Sequence, residues 1–147
     1  MNKTLIAIVM TVALAVGTVC NAADANQMKY LSLLSPVVSA SEAGAAIDLA
    51  SYKGNSTVLV NWGACADTNY VGTVTISHAN ASTGTYSTVT NTAGTAAVLT
   101  ASGVGTNVVS TYSIDSARLR KYIKATLTQT PSTNAVGVVF IAPMKSE

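Results

Sequence analysis

At 147 residues and 14.9 kDa the chain holds one domain's worth of material once any targeting segment is set aside. Only 10% of the residues are charged and the net charge is +2, against a globular norm of about 25% charged, so a broad cationic face for nucleic acid and an acidic tail are both excluded. One histidine, two cysteines and six scattered carboxylates offer little for a metal or acid/base site, while 20 Thr and 15 Ser favour strands over helices.

The first 27 residues form a hydrophobic leader. Asn2 and Lys3 precede an uncharged run from Thr4 to Val19, and Cys20, Asn21, Ala22 and Ala23 follow. This is the charged, apolar and small-residue order of a secretory signal with a cut at Ala23. Gly17, Thr18 and Val19 before Cys20 make a poor lipoprotein box. The run reaches about 24 Å as a helix, short of the roughly 20 residues that cross a bilayer core, so a membrane enters only through a retained leader. A retained arm and a start at Met28 are the other two readings. Without the leader Cys65 stands alone, and no disulfide within the chain can form.

Residues 28–45 mix short apolar groups with Ser, Ala, Gly and Pro36, without helical period or sustained alternation, and read as an extended arm. The domain proper is expected over 46–147, opening with a short strand from Ala46 to Leu49. Thr57 to Trp62 is the first clear strand, with Val58, Val60 and Trp62 on one face. Thr73 to Ser77 alternates strictly, Val74 and Ile76 inward and Thr73, Thr75 and Ser77 outward. A turn at Ser82, Thr83 and Gly84 leads to a strand from Tyr86 to Thr90, and "NTAG" turns again before Ala96 to Ala101. After the glycine loop "SGVGTN" come a strand from Val108 to Ile114 and one helical turn begun by Asp115 or Ser116. Lys121 to Thr130 puts Ile123, Ala125 and Leu127 on one face and Tyr122, Lys124, Thr126 and Thr128 on the other. "TPSTN" then turns into Ala135 to Ala142, a continuous apolar run suited to a strand buried on both faces or packed at an interface. Seven or eight short strands at this spacing predict an all-β protein, a single antiparallel β-sandwich or jelly roll. Its core of small aliphatics with one Trp and one Phe is thin enough to make a homo-oligomer the expected state.

Single residues that could carry chemistry each have a plainer duty. His78 has no Cys or His at ligand spacing and reads as an exposed strand-end residue. Cys65 has no cation nearby in sequence to activate it and reads as a buried, inert thiol. Asp48, Asp67 and Asp115 fall where turns and caps need a carboxylate. "GVGTNV" lacks the third glycine and the βαβ setting of a dinucleotide loop. "NST" at Asn55 and "NAS" at Asn80 are glycosylation sequons of a kind that an Asn, Ser and Thr-rich chain produces by chance. No catalytic, cofactor or metal residues are assigned, and the chain is expected not to be an enzyme. The one concentration of charge is Arg118, Arg120, Lys121 and Lys124, four of eight cations within seven residues. With Tyr122 it makes a basic stripe beside an aromatic, read either as a solvated edge that blocks unwanted pairing or as a docking patch for an acidic protein surface.

Three stretches, "IDLASYKGNSTVLVNWGA", "GTVTISHANASTGTYSTV" and "YSIDSARLRKYIKATLTQTPSTNAVGVVFIAPMK", together resemble small tailed-phage virion structural proteins of the capsid decoration or cement type, over roughly Ile47 to Lys145. The family's opening "IDL" strand matches Ile47, Asp48 and Leu49, and its closing strand matches Arg120, Lys121, Tyr122, Ile123, Lys124 and Ala125. The resemblance implies a place on the virion capsid surface, with the major capsid protein or another lattice protein as partner and no catalytic residues to carry over. The leader departs from that pattern, since phage heads assemble in the cytoplasm. It supports the competing expectation, an exported bacterial β-sandwich serving as a secreted or cell-surface filament or adhesin subunit.

Overall fold

A computed structural model of the chain describes residues 27–103 and 108–145. The leader up to residue 26, and residues 104–107 of the glycine loop, lie outside it.

Among the described residues ten strands build two antiparallel sheets: β1 (Met28–Val37), β2 (Ser41–Ala43), β3 (Ile47–Asp48), β4 (Asn55–Asn61), β5 (Val71–Ala79), β6 (Ser87–Thr88), β7 (Val98–Ser102), β8 (Val109–Asp115), β9 (Tyr122–Thr130) and β10 (Val136–Pro143). One 3-10 turn, η1 (Ser116–Arg118), precedes β9. Asp115 starts that turn, its carboxylate accepting the Ala117 N–H at 2.9 Å. The first sheet runs β1-β10-β4-β8. The second is centred on β9 and β5, with β2 and β3 sharing the free side of β9, and β6 and β7 sharing that of β5.

Pairing is nested. β1 meets β10, β2 and β3 meet β9, β4 meets β8, and β5 meets β6 and β7. A chain that folds on itself from its middle outward and then rolls into two facing sheets is a jelly roll, so the expected all-β sandwich takes that form.

Residues 28–45, expected as an arm outside the sandwich, supply β1 and β2 instead. Their irregular pattern has a local cause: the β1 register shifts between Ser32 and Leu34 and again between Leu34 and Val37. Such bulges insert extra residues and break the period of two, which is how the consecutive Leu33 and Leu34 both come to be buried. The strand expected over Tyr86 to Thr90 is reduced to Ser87–Thr88 with an isolated bridge from Thr90 to Ala96. There the side of β5 passes from one hairpin arm to the other, with Val89 N–H donating to the Ile76 carbonyl and Ile76 N–H to that of Ala97, both at 2.9 Å.

The core lies where alternation puts it. Val58, Val60, Val74, Ile76, Ile123, Leu127 and Val138 are fully buried, and Trp62, Tyr70 and Phe140 are the largest buried side chains among the described residues. At one end a polar network closes the sandwich. The Tyr70 hydroxyl donates to Gln129 Oε1 at 3.1 Å, Gln129 Nε2 donates to the Ser39 and Asn134 carbonyls at 2.9 Å each, and Asn134 Nδ2 donates to the Trp62 carbonyl at 3.2 Å. Burial pushes the Tyr70 hydroxyl above its ordinary 10.0, in the direction expected for a phenol taken out of water.

Candidate docking surface

The two outer faces differ in chemistry. In β10 the inward residues Val136, Val138, Phe140 and Ala142 are fully buried, which turns Val139 and Ile141 outward. Residues opposite one another share a face. Val139 is flanked by Ser32 and Leu59, and Ile141 by Tyr30 and Thr57. Tyr30 is 73% exposed, and Val109, opposite outward Asn61, is 51% exposed. The first sheet's outer face therefore sets Tyr30, Leu59, Val139, Ile141 and Val109 among Ser32, Thr57, Asn61, Thr111 and Ser113. The second sheet shows paired threonines, Thr73 opposite Thr128 and Thr75 opposite Thr126, with exposed Val71 and Val98 on the same face.

The structure divides the basic stripe. Lys124 and Tyr122 belong to the outer face of the second sheet, where the Lys124 ammonium lies 4.0 Å from the Tyr86 ring centroid, a cation–π contact worth about 0.5–1 kcal/mol at an exposed site. Arg118 ends η1 in the open. Arg120 and Lys121 line a cleft of about 340 Å³ together with Lys53 and Lys145, with Arg120 Nη1 also donating to Ser87 Oγ on β6 at 3.5 Å and the Lys121 ammonium 5.2 Å from the Tyr122 ring centroid. Neither Lys53 nor Lys145 has another cation close by in the sequence that would mark it. Only the pairing of β1, β4 and β10 brings them there: Tyr52 bridges to Met144, Lys53 N–H donates to the Pro143 carbonyl at 3.2 Å, and Lys145 N–H to that of Ser51 at 2.9 Å. Leu49 N–H, donating to the Lys121 carbonyl at 2.8 Å, ties the third segment in. Asp48 accepts the Ala50 N–H at 2.8 Å and lies 3.7 Å from the Lys121 ammonium. Both side chains are about half exposed, so that pair contributes about 0–1 kcal/mol.

His78 is half buried rather than exposed, and its Nδ1 accepts the Arg120 backbone N–H at 3.2 Å. Burial, reinforced by the Arg120 charge, holds the imidazole below its ordinary 6.5. From that value downward the unfolded chain takes up a proton that the folded chain resists, so stability rises with pH through the window and is lost as pH falls through it. The melting temperature of the wild type should therefore drop more between about pH 6.5 and 5 than that of His78→Gln, which keeps an acceptor without the titration. Parallel melting curves for the two would remove His78 as the cause.

The remaining candidates have local duties. Cys65 is buried, with its Sγ 3.5 Å from the Asp67 carbonyl oxygen, and the Asp67 carboxylate accepts the Asn69 N–H at 2.8 Å. Asn55 and Asn80 are exposed. Among the described residues no three His, Cys, Asp or Glu side chains gather as a metal site would require.

No family model matches the chain, and no curated protein does. Among solved structures it has a weak likeness, at TM-score 0.40 and 10% identity, to one described as the structure of infectious bursal disease virus Gx strain. The match covers 83% of this chain and 33% of that one, so the chain spans about a third of the length of that viral chain.

Proposed function

We propose that the chain is a virion structural protein of the capsid decoration type. It docks in repeated copies on a head lattice formed by the major capsid protein or another lattice protein, and stabilises that lattice by bridging neighbours. The observation that carries this reading is the unlike pair of outer faces. A jelly roll with mainly threonines outside one sheet, and with Tyr30, Val139, Ile141, Leu59 and Val109 interspersed with small polar residues outside the other, has more apolar surface to bury on the second of these faces. Contiguous exposed apolar surface marks an interaction site, and symmetric contacts between copies would use the same surface. The reading assigns no catalytic step, no cofactor and no nucleic acid.

Tyr30→Glu with Val109→Glu tests it. Both side chains are more than half exposed, so the isolated domain should keep its stability within about 0.5 kcal/mol, while occupancy on purified particles falls at least about tenfold. Arg120→Glu with Lys121→Glu should weaken attachment less, and mainly at low salt, because rim charges set encounter more than affinity. Particles that carry the first double variant at full occupancy, and resist heat and osmotic shock as the wild type does, would end the proposal.

A second reading, an exported bacterial β-sandwich for a filament or adhesin, is favoured by the run Thr4 to Val19. Intact mass of the native protein separates the two: a start at Ala23 or Ala25 supports export, and one at Met1 or Met28 supports the virion.

A further inference from the structure

We propose that the cleft between Lys53, Lys145, Arg120 and Lys121 is a socket for an extended acidic segment of the partner, one apolar side chain flanked by carboxylates; this rests on the docking reading above. The walls are cationic and the floor is not. Leu49 is buried beneath the opening, with Leu119 and Tyr52 half buried beside it. Among the described residues Asp48 is the one carboxylate within ion-pair distance of the four cations, so the cleft keeps a surplus of positive charge.

Its shape does not depend on the long side chains alone. The backbone bonds of Leu49, Lys53 and Lys145 join the segment before β4, the segment before β9 and the end of β10, so the four Cα positions are set by the fold. The Lys145 ammonium also donates to the carbonyl of Ala50, another residue of the cleft's lining.

Charge complementarity and the floor together select the occupant. A free small anion would meet exposed, screened ammonium groups, each worth only a few-fold in affinity, and would leave the apolar floor wet. A segment that presents several carboxylates on one backbone gathers those contributions in one event, and its central side chain covers Leu119 and Tyr52. A volume of about 340 Å³ suits a short stretch of chain.

The test uses the folded protein and a fluorescein-labelled peptide, Gly-Asp-Glu-Leu-Glu-Asp-Gly, read by anisotropy at low salt and again at high salt. The wild type should bind it, and Lys53→Glu with Lys145→Glu should lower the affinity at least about tenfold. The neutral pair Lys53→Gln and Lys145→Gln, which leaves the backbone bonds intact, should lower it several-fold. Exchanging the peptide's leucine for glycine should also weaken binding. The control is Lys124→Glu with Thr100→Glu and Thr128→Glu, an equal change in net charge placed on the outer face of the second sheet. An equal loss there would reduce the effect to overall charge and overturn the socket, as would full competition by millimolar inorganic phosphate. Peptide binding by a wild type that attaches to no particle keeps the socket and removes the virion reading, whereas lysine variants that lose the peptide and still attach to particles keep the virion reading and overturn the socket as a site for the partner. Particle attachment lost without any peptide binding to the wild type keeps the virion reading and removes the acidic segment.

Discussion

Trp62→Ala should destabilise the domain by about 3–5 kcal/mol, the range for removing a buried large ring. Trp62 is 1% exposed and lies just past the end of β4, where it packs between the sheets. Its indole N–H donates to Ser110 Oγ at 2.9 Å, and its backbone N–H to the Val108 carbonyl at 2.9 Å, tying the end of β4 to the start of β8. The fit around the ring is close. A methyl group built on Gly72 would come within 2.8 Å of it and 2.2 Å of the Tyr70 hydroxyl, so the cavity left by alanine is walled by neighbours that are themselves fixed. A domain of ordinary stability holds about 5–15 kcal/mol, so the variant should unfold at a much lower urea midpoint. Trp62→Phe, which keeps most of the packing and loses the bond to Ser110, should fall between the two. A midpoint for Trp62→Ala within error of the wild type would show that the ring does not anchor the core.

The second large effect is expected from the smallest substitution. Gly44 follows β2 where the chain crosses the backbone of β1, and a Cβ placed on it would lie 1.6 Å from the Leu33 carbonyl oxygen and 2.8 Å from the carbonyl carbon. No rotation of a side chain relieves that overlap, because both atoms are backbone. Gly44→Ala must therefore push β1 and the β2–β3 segment apart, straining the Gly44 N–H bond to the Ala125 carbonyl at 2.9 Å and the burial of Leu33 and Leu34. The loss should exceed the 1–3 kcal/mol typical of overpacking a core. Thermal melting measures it, and a variant melting like the wild type would mean that the two edges have room to separate.

Alternation made most of the fold readable. In β5 and β9 one face is buried and the other is not, so hydrophobicity repeats every second residue and both strand and orientation follow, whereas the continuous apolar run of β10 marks the strand without marking its inward face. The same logic exposed the inward set from Val58 to Val138 and the outward threonines. It failed at β1, where two bulges spoil the period, and at β6, where pairing is handed between two short arms. The stripe from Arg118 to Lys124 was visible because its members are adjacent in sequence, yet that adjacency concealed its division: alternation along β9 sends Lys124 outward with Tyr122, while Arg120 and Lys121, just before β9, line the cleft. Lys53 and Lys145 join them through pairing between distant strands, which no local pattern records.

The nested pairing also sets an order of events during synthesis. β10 comes last in chain order among the described strands, yet it occupies the middle of the first sheet, between β1 and β4. Until Val136 to Pro143 has left the ribosome, those two strands have a vacancy between them, with unpaired N–H and C=O groups facing it on both sides. Contacts between the ends of a chain close slowly, because loop entropy is lost before pairing compensates it. The first sheet therefore cannot close before β10 is available, and an extended apolar segment, including β10 of another copy, has the shape to pair with β1 or β4 in its place.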